Sequence, residues 1–241
     1  MNSILAMLTM KAFWEGALTT IILFFFTLII ALPLGLPFAL GSNSKIPPIR
    51  WICKFYIWVM RGTPLMLQLF FFYFFVYPSL KKLGFMQNVD LQVATLIVAI
   101  FTFALNYAAY FAEIYRGGIA SVNKGQYEAA QSLGMSRSRT LFGIILPQTF
   151  KAVLPPIFNE TITLVKDTAL ASVISVAELM RITRKQVSGQ VNPLLYIAPA
   201  LFYLLFTFVV TMFAKYLEGK TSMQQKDKNK GFKIFKSKEG R

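Results

Sequence analysis

Asn159, Glu160, Lys166 and Asp167 fall inside a stretch, from Leu146 or Pro155 to Glu178, that is otherwise apolar enough to cross a membrane. An unpaired charge at that depth costs about 3 kcal/mol on insertion scales, so each of these charges needs compensation. Glu160 and Asp167 are seven residues apart and nearly eclipse one another on a helix, as do Asn159 and Lys166. Lys166 and Asp167 are adjacent and cannot fully face each other, so partners are expected on other helices, with Arg61, Glu113 and Arg116 as candidates. Two readings follow. The charges knit a helix bundle, or some line a path and contact a zwitterionic solute, whose ammonium needs a carboxylate and whose carboxylate needs a cation or amide donor.

A second polar set supports a lined path. Asn106, Tyr110, Glu113 and Gly117 are spaced four, three and four apart and so share one helix face. Arg61 precedes Gly62-Thr63-Pro64, a break in an apolar run, and reads as a gate or interface residue rather than a direct ligand. Tyr107 and Tyr110 read as packing. Other chemistry is poorly supplied. The chain has no histidine and a single cysteine, Cys53, which removes the commonest metal ligand and general base and any internal disulfide. Gly219-Lys220-Thr221 imitates the end of a phosphate-binding loop, but Ala214 stands where its first glycine belongs, and no strand is expected before it.

These groups must be positioned by membrane helices. The chain of 241 residues is 56% hydrophobic and 15% charged, too apolar for a soluble domain. Its +15 net charge sits in loops and tail, which suits inside-facing loops and anionic lipid rather than nucleic acid. Five spans are expected: 12–40, too long an apolar run for a cleaved signal peptide and kinked by Pro33 and Pro37; 52–78, its true start near 61–64; 91–115; the charged fourth; and 193–217. Gly35 with Ala39 offers a small-residue face for helix contact. The bases of 116–151 and of the tail place these segments inside and the N-terminus outside, with Arg181, Arg184 and Lys185 as the exception. The expected organisation is an all-α membrane domain over 1–218 and a basic, disordered cytoplasmic tail over 219–241.

One long polar island projects from this greasy frame, over 121–147. Lys124, Arg137 and Arg139 keep it in water. Residues 127–133 are good helix formers, Gly134 can supply the left-handed residue that ends a short helix, and Ser136 can cap the next. Helix, bend, helix is the prediction. Ala129 and Ala130 leave a low-relief face and Glu128 one directional charge beside it, features suited to a partner's groove.

The spacing Glu128-Ala129-Ala130, three residues, Gly134, nine residues, Ile144-x-Leu146-Pro147 resembles the EAA loop of ABC-importer permeases, the membrane subunits that dock on an ATPase. Arg61-Gly62-Thr63-Pro64, the run from Ala109 to Ile119, Gly125-Gln126 and Lys166-Asp167-Thr168-Ala169-Leu170 are similar to the polar amino acid, histidine/glutamine-type branch. The likeness runs from about Phe13 to Glu218 and departs at Ala169, where that branch usually has serine. It implies a type I permease fold with a cytoplasmic coupling helix, in which Glu128, Ala129, Ala130, Leu133, Gly134 and Ser136 meet the ATPase. The residues expected to form a path or gate are Arg61, Thr63, Asn106, Tyr110, Glu113, Asn159, Glu160, Lys166, Asp167 and Thr168. Implied partners are two ATPase subunits that bind ATP and Mg, a second permease copy or paralogue, and an external binding protein that delivers an amino acid. The chain itself would hold no cofactor and would be no enzyme. The competing class is an ion-coupled secondary transporter using Glu160 and Asp167, disfavoured because no internal repeat is visible.

Overall fold

The computed structural model describes residues 4–220 with their side chains, and the backbone alone of 2–3 and 221–239. Of the tail expected to be disordered over 219–241, the backbone continues the last helix to Glu239, and 240–241 lie outside the described residues. Among the described residues every element is helical. Four helices are long and apolar enough to cross a membrane, or five if one bent pair counts as a span.

A short helix α1 (Asn2–Thr9) leads into α2 (Lys11–Ser42), which stays one element through Pro33 and Pro37. The anticipated small-residue face is where α2 meets α5 (Leu91–Ala120), the most extensive helix pair. A Cβ on Gly35 would lie 2.9 Å from Phe111 Cβ and 3.0 Å from the Ala108 carbonyl, so only glycine lets the two backbones approach this closely. Leu23, Phe24, Phe103, Tyr107, Phe111, Leu164 and Val165 form the core they share with the helix that carries the last two.

The break expected near 61–64 in the second apolar run is present. Residues 52–60 belong to a separate helix, α3 (Pro47–Gly62), and the apolar run resumes after the break as α4 (Leu65–Lys82), bent 107° from α3. The cause is local. Proline disfavours helical geometry at the residue before it, and Thr63 is extended at φ −115°, ψ 142°. The Thr63 hydroxyl donates to the Val59 carbonyl at 2.8 Å, closing the end of α3.

The fourth span, α7 (Arg137–Ile174), begins earlier than expected and ends before Glu178. It absorbs Pro147 through a π-helical turn at Leu141–Ile145, as α4 absorbs Pro78 through one at Phe72–Val76. Widening the turn just ahead of each proline accommodates the missing N–H. After Asp167 the helix tightens into a 3-10 turn, Thr168–Ile174, and stops at Ser175 with φ +70°. Glu178 then starts a new helix, α8 (Leu179–Gln190), by accepting the N–H groups of Met180 and Arg181, both at 2.7 Å. Arg181, Arg184 and Lys185 thus lie on α8, off the spanning segment. The last span, α9, is described over Pro193–Lys220.

Candidate translocation path and docking loop

Arg61 closes α3 and stands between two cavities. One, of about 390 Å³, is lined by Thr63, Asn106, Tyr107, Tyr110, Glu160 and Asp167 among others. The second, of about 680 Å³, is lined by Lys54, Trp58, Tyr110, Glu113 and Arg116, with Ser42 and Asn43 from the end of α2. Arg61 lines both. Its guanidinium carbon lies 5.4 Å from the Tyr110 ring centroid, a cation–π distance, and Nη1 lies 4.0 Å from Glu113 Oε2. Glu113 also takes a bidentate contact from Arg116, whose Nε lies 3.0 Å from Oε2. One carboxylate therefore holds two guanidiniums beside the larger cavity.

The fourth-helix groups divide between two faces. Glu160 and Asp167, seven apart, both line the smaller cavity. Asn159 and Lys166, also seven apart, are exposed on another face. Lys166 lines a separate small cavity with Ala169, Met180 and Tyr203. Thr168 is fully buried and donates to the Val165 carbonyl at 2.7 Å. The partners expected for these charges also differ. Among the described residues Arg61 and Arg116 form ion pairs with Glu113 alone, while Asp167 Oδ2 accepts the Tyr107 hydroxyl at 2.7 Å. Tyr107 is thus packing residue and hydrogen-bond donor at once. A hydroxyl reaches Asp167 without burying a second charge, which is the cheaper compensation in an apolar bundle. Arg61 lines the same cavity as Glu160 without a direct ion pair to it.

Gln68 did not emerge from the sequence as a site residue, yet it holds the break together. Its Nε2 donates to the Met60 carbonyl at 2.9 Å and to Thr63 Oγ1 at 2.8 Å, while its Oε1 accepts from Asn106 Nδ2 at 3.0 Å. Asn106 Nδ2 also donates to the Met60 carbonyl at 3.0 Å. The two amides tie α3, α4 and α5 around the backbone freed by Pro64, which is how a helix break survives in an apolar setting. A lone amide four residues after a proline in an apolar run was the available signal.

At the same end of the bundle, α5 runs into the polar island. Asn123 caps α6 (Lys124–Ser132) by accepting from Gly125 N at 2.8 Å. Gly134 adopts φ +69°, and its N–H donates to the Gln131 carbonyl while that of Met135 reaches Ala130, the closure of a left-handed helix end. Ser136 Oγ then accepts from Arg139 N at 3.4 Å to start α7. Glu128, Ala129 and Leu133 are exposed, Leu133 at 81%, whereas Ala130 is buried. The exposed side of α6 therefore offers Glu128, Ala129 and Leu133, and Ala130 fixes the helix to its own chain.

Residues 31–223 match the family described as binding-protein-dependent transport system inner membrane component. The chain belongs to this family. The permease is 38% identical over 217 residues to the L-cystine transport system permease TcyB of Bacillus subtilis, covering 88% of each chain. Against the arginine transport system permease ArtQ of the same organism it is 37% identical over 208 residues, covering 86% of this chain and 90% of ArtQ. Among solved structures, a chain of an amino acid ABC transporter crystallised with histidines superposes with a TM-score of 0.78 at 34% identity, covering 90% of this chain and 98% of that one. The protein is thus a multi-pass membrane permease of the ABC-importer type I fold, working with an ATPase and a solute-binding protein. It is not itself an enzyme: ATP hydrolysis falls to the ATPase partner, and ion-gradient coupling is set aside.

Proposed function

We propose that this permease passes a polar amino acid through the smaller cavity beside Arg61, as one half of a permease dimer formed with a second copy or a paralogue. The observation that carries the reading is the meeting of Glu160, Asp167, Arg61 and the Asn106 amide around one cavity of about 390 Å³. A zwitterion needs both signs within its own length, and a neutral solute would leave these desolvated charges unmatched. Relatives named for cystine and arginine transport support the amino acid class.

Motion of the helices comes from the partner. The exposed side of α6, with Glu128, Ala129 and Leu133, sits in a groove of one of two ATPase subunits, which bind ATP and Mg at their own interface. Their closure moves α6 and, through the capped turn at Gly134, swings α7 with Glu160 and Asp167 as a rigid body. Arg61 is the gate: held by Tyr110 and Glu113, it separates the solute cavity from the larger one beside the docking loop. The N-terminus faces outside and the docking loop the cytoplasm, as the lysine and arginine bias directs.

Reconstituted permease, ATPase and binding protein test this. Stimulation of ATP hydrolysis by binding protein loaded with one amino acid, and uptake of that amino acid, is expected. Hydrolysis indifferent to every loaded form, together with uptake driven by a proton gradient, would overturn it.

A further inference from the structure

α3 is held at the docking-loop end of the bundle by one face only. Tyr56 donates to the Leu105 carbonyl at 2.5 Å and stacks on Phe38 at 4.0 Å, Ile57 is buried, and Cys53 packs into the space left by Gly41. The opposite face is aromatic and open. Trp51 and Trp58 are 68% and 70% exposed, and Phe55 lies between them, stacked on Trp51 at 5.5 Å and tilted by 38° to Trp58 at 6.0 Å. The positions 51, 55 and 58 recur at helical spacing, and so do Arg50, Lys54 and Arg61 along the flank of that stripe. With α4 taken as the crossing part of the bent pair, the 107° bend lays α3 close to the membrane plane.

We propose that α3 is an interfacial helix, with Trp51, Phe55 and Trp58 seated in the headgroup layer of the bilayer and Arg50 and Lys54 on the phosphates of anionic phospholipid. Three observations choose lipid as the occupant. Tryptophan rings with an apolar body and an N–H prefer the headgroup level over both water and hydrocarbon. The basic flank complements an anionic surface. The exposed side of the helix is amphipathic, with apolar rings along its middle and cations along one flank, which suits a helix lying in the interface. Anchored there, α3 fixes the depth of the break at Gly62-Thr63-Pro64 and of Arg61 beside the cavities.

Tryptophan quenching tests this. In the Trp14→Phe variant only Trp51 and Trp58 remain, and the protein is placed in vesicles of phosphatidylethanolamine and phosphatidylglycerol carrying bromine either near the headgroup or near the chain end. Quenching by the shallow bromines about twofold stronger than by the deep ones is expected. Brominated phosphatidylglycerol should quench more than brominated phosphatidylethanolamine, and Arg50→Gln with Lys54→Gln should erase that preference. Equal or deeper quenching, or none, overturns the proposal. If Trp14→Phe fails to fold, the same depth ratio is read as the difference between the natural chain and a Trp51→Phe, Trp58→Phe variant. Trp51→Cys in a Cys53→Ser background separates the other occupant. Cross-linking of two Trp51→Cys chains at high yield would place a second copy on this face and sink the lipid assignment.

Discussion

The Tyr107 hydroxyl donates to Asp167 Oδ2 at 2.7 Å, joining the middle of α5 to the point where α7 tightens into its final 3-10 turn. Tyr107→Phe leaves a half-buried carboxylate without its donor, at a cost of about 1–3 kcal/mol. Thermal unfolding in detergent should show a lowered Tm for Tyr107→Phe and a smaller loss for Asp167→Asn, whose amide oxygen can still accept the hydroxyl. A Tm unchanged in both variants would show that this bond does not hold the helix pair.

Glu160 and Lys166 lie on different faces of α7, and only Glu160 lines the cavity proposed for the solute. Glu160→Gln should lower uptake about tenfold with assembly intact, the scale of one lost charge-assisted contact. Lys166→Gln should stay within about twofold. Equal losses in both, tracking loss of assembly, would make these charges bundle braces rather than path.

At Gly134 the backbone sits at φ +69° with open space around the missing Cβ, so a side chain there meets strain and no clash. A β-branched residue pays about 1–2 kcal/mol in the left-handed region. Gly134→Val should therefore insert and assemble normally while misaligning α6 against α7 and reducing stimulated ATPase. Measured stimulation equal to that of the natural protein would remove α6 from the docking role.

Gln68 bridges Met60, Thr63 and Asn106 across the break after α3. Gln68→Leu keeps the volume but removes the acceptor of Asn106 Nδ2 and the donor that also reaches the Thr63 carbonyl at 3.2 Å, costing about 1–3 kcal/mol. A lowered Tm is expected, along with raised basal ATPase in the absence of loaded binding protein, because the turn that positions Arg61 is loosened. Basal ATPase that does not rise despite a lowered Tm would mean that the break is merely structural.

Glu178 is fully buried in the corner between α7 and α8, outside the spanning segments. Burial pushes its carboxyl up to about 7, opposed by the Met180 and Arg181 N–H groups, the Tyr203 hydroxyl and the Arg184 charge. Between the ordinary glutamate value of 4.5 and about 7 the folded protein binds more protons than the unfolded chain, so stability falls as pH rises through that window and levels off above it. The amplitude is of the order of 3 kcal/mol. Glu178→Gln should flatten a plot of Tm against pH over that range, and a slope that persists would assign it to another group.

Length, apolar runs and the polar island determine much by sequence alone. The all-α membrane class, the helix, bend and helix around Gly134, the Ser136 cap and the close approach at Gly35 are local consequences of residue type, and locality makes them legible. The pairing of Glu160 with Asp167 on one face followed from helical period in the same way. Partner choice did not. That Asp167 meets Tyr107 rather than a cation, that Glu113 gathers both Arg61 and Arg116, and that Gln68 and Asn106 hold a broken helix depend on how α3, α4, α5 and α7 lie in space. The break near 61–64 was legible from Gly62 and Pro64, but its angle was not: Pro64 and the amide bridge turn residues 52–60 through 107° from the run that follows. Composition sets what a segment can bury, and the direction in which it buries it is fixed only when distant helices compete for the same hydrogen bonds.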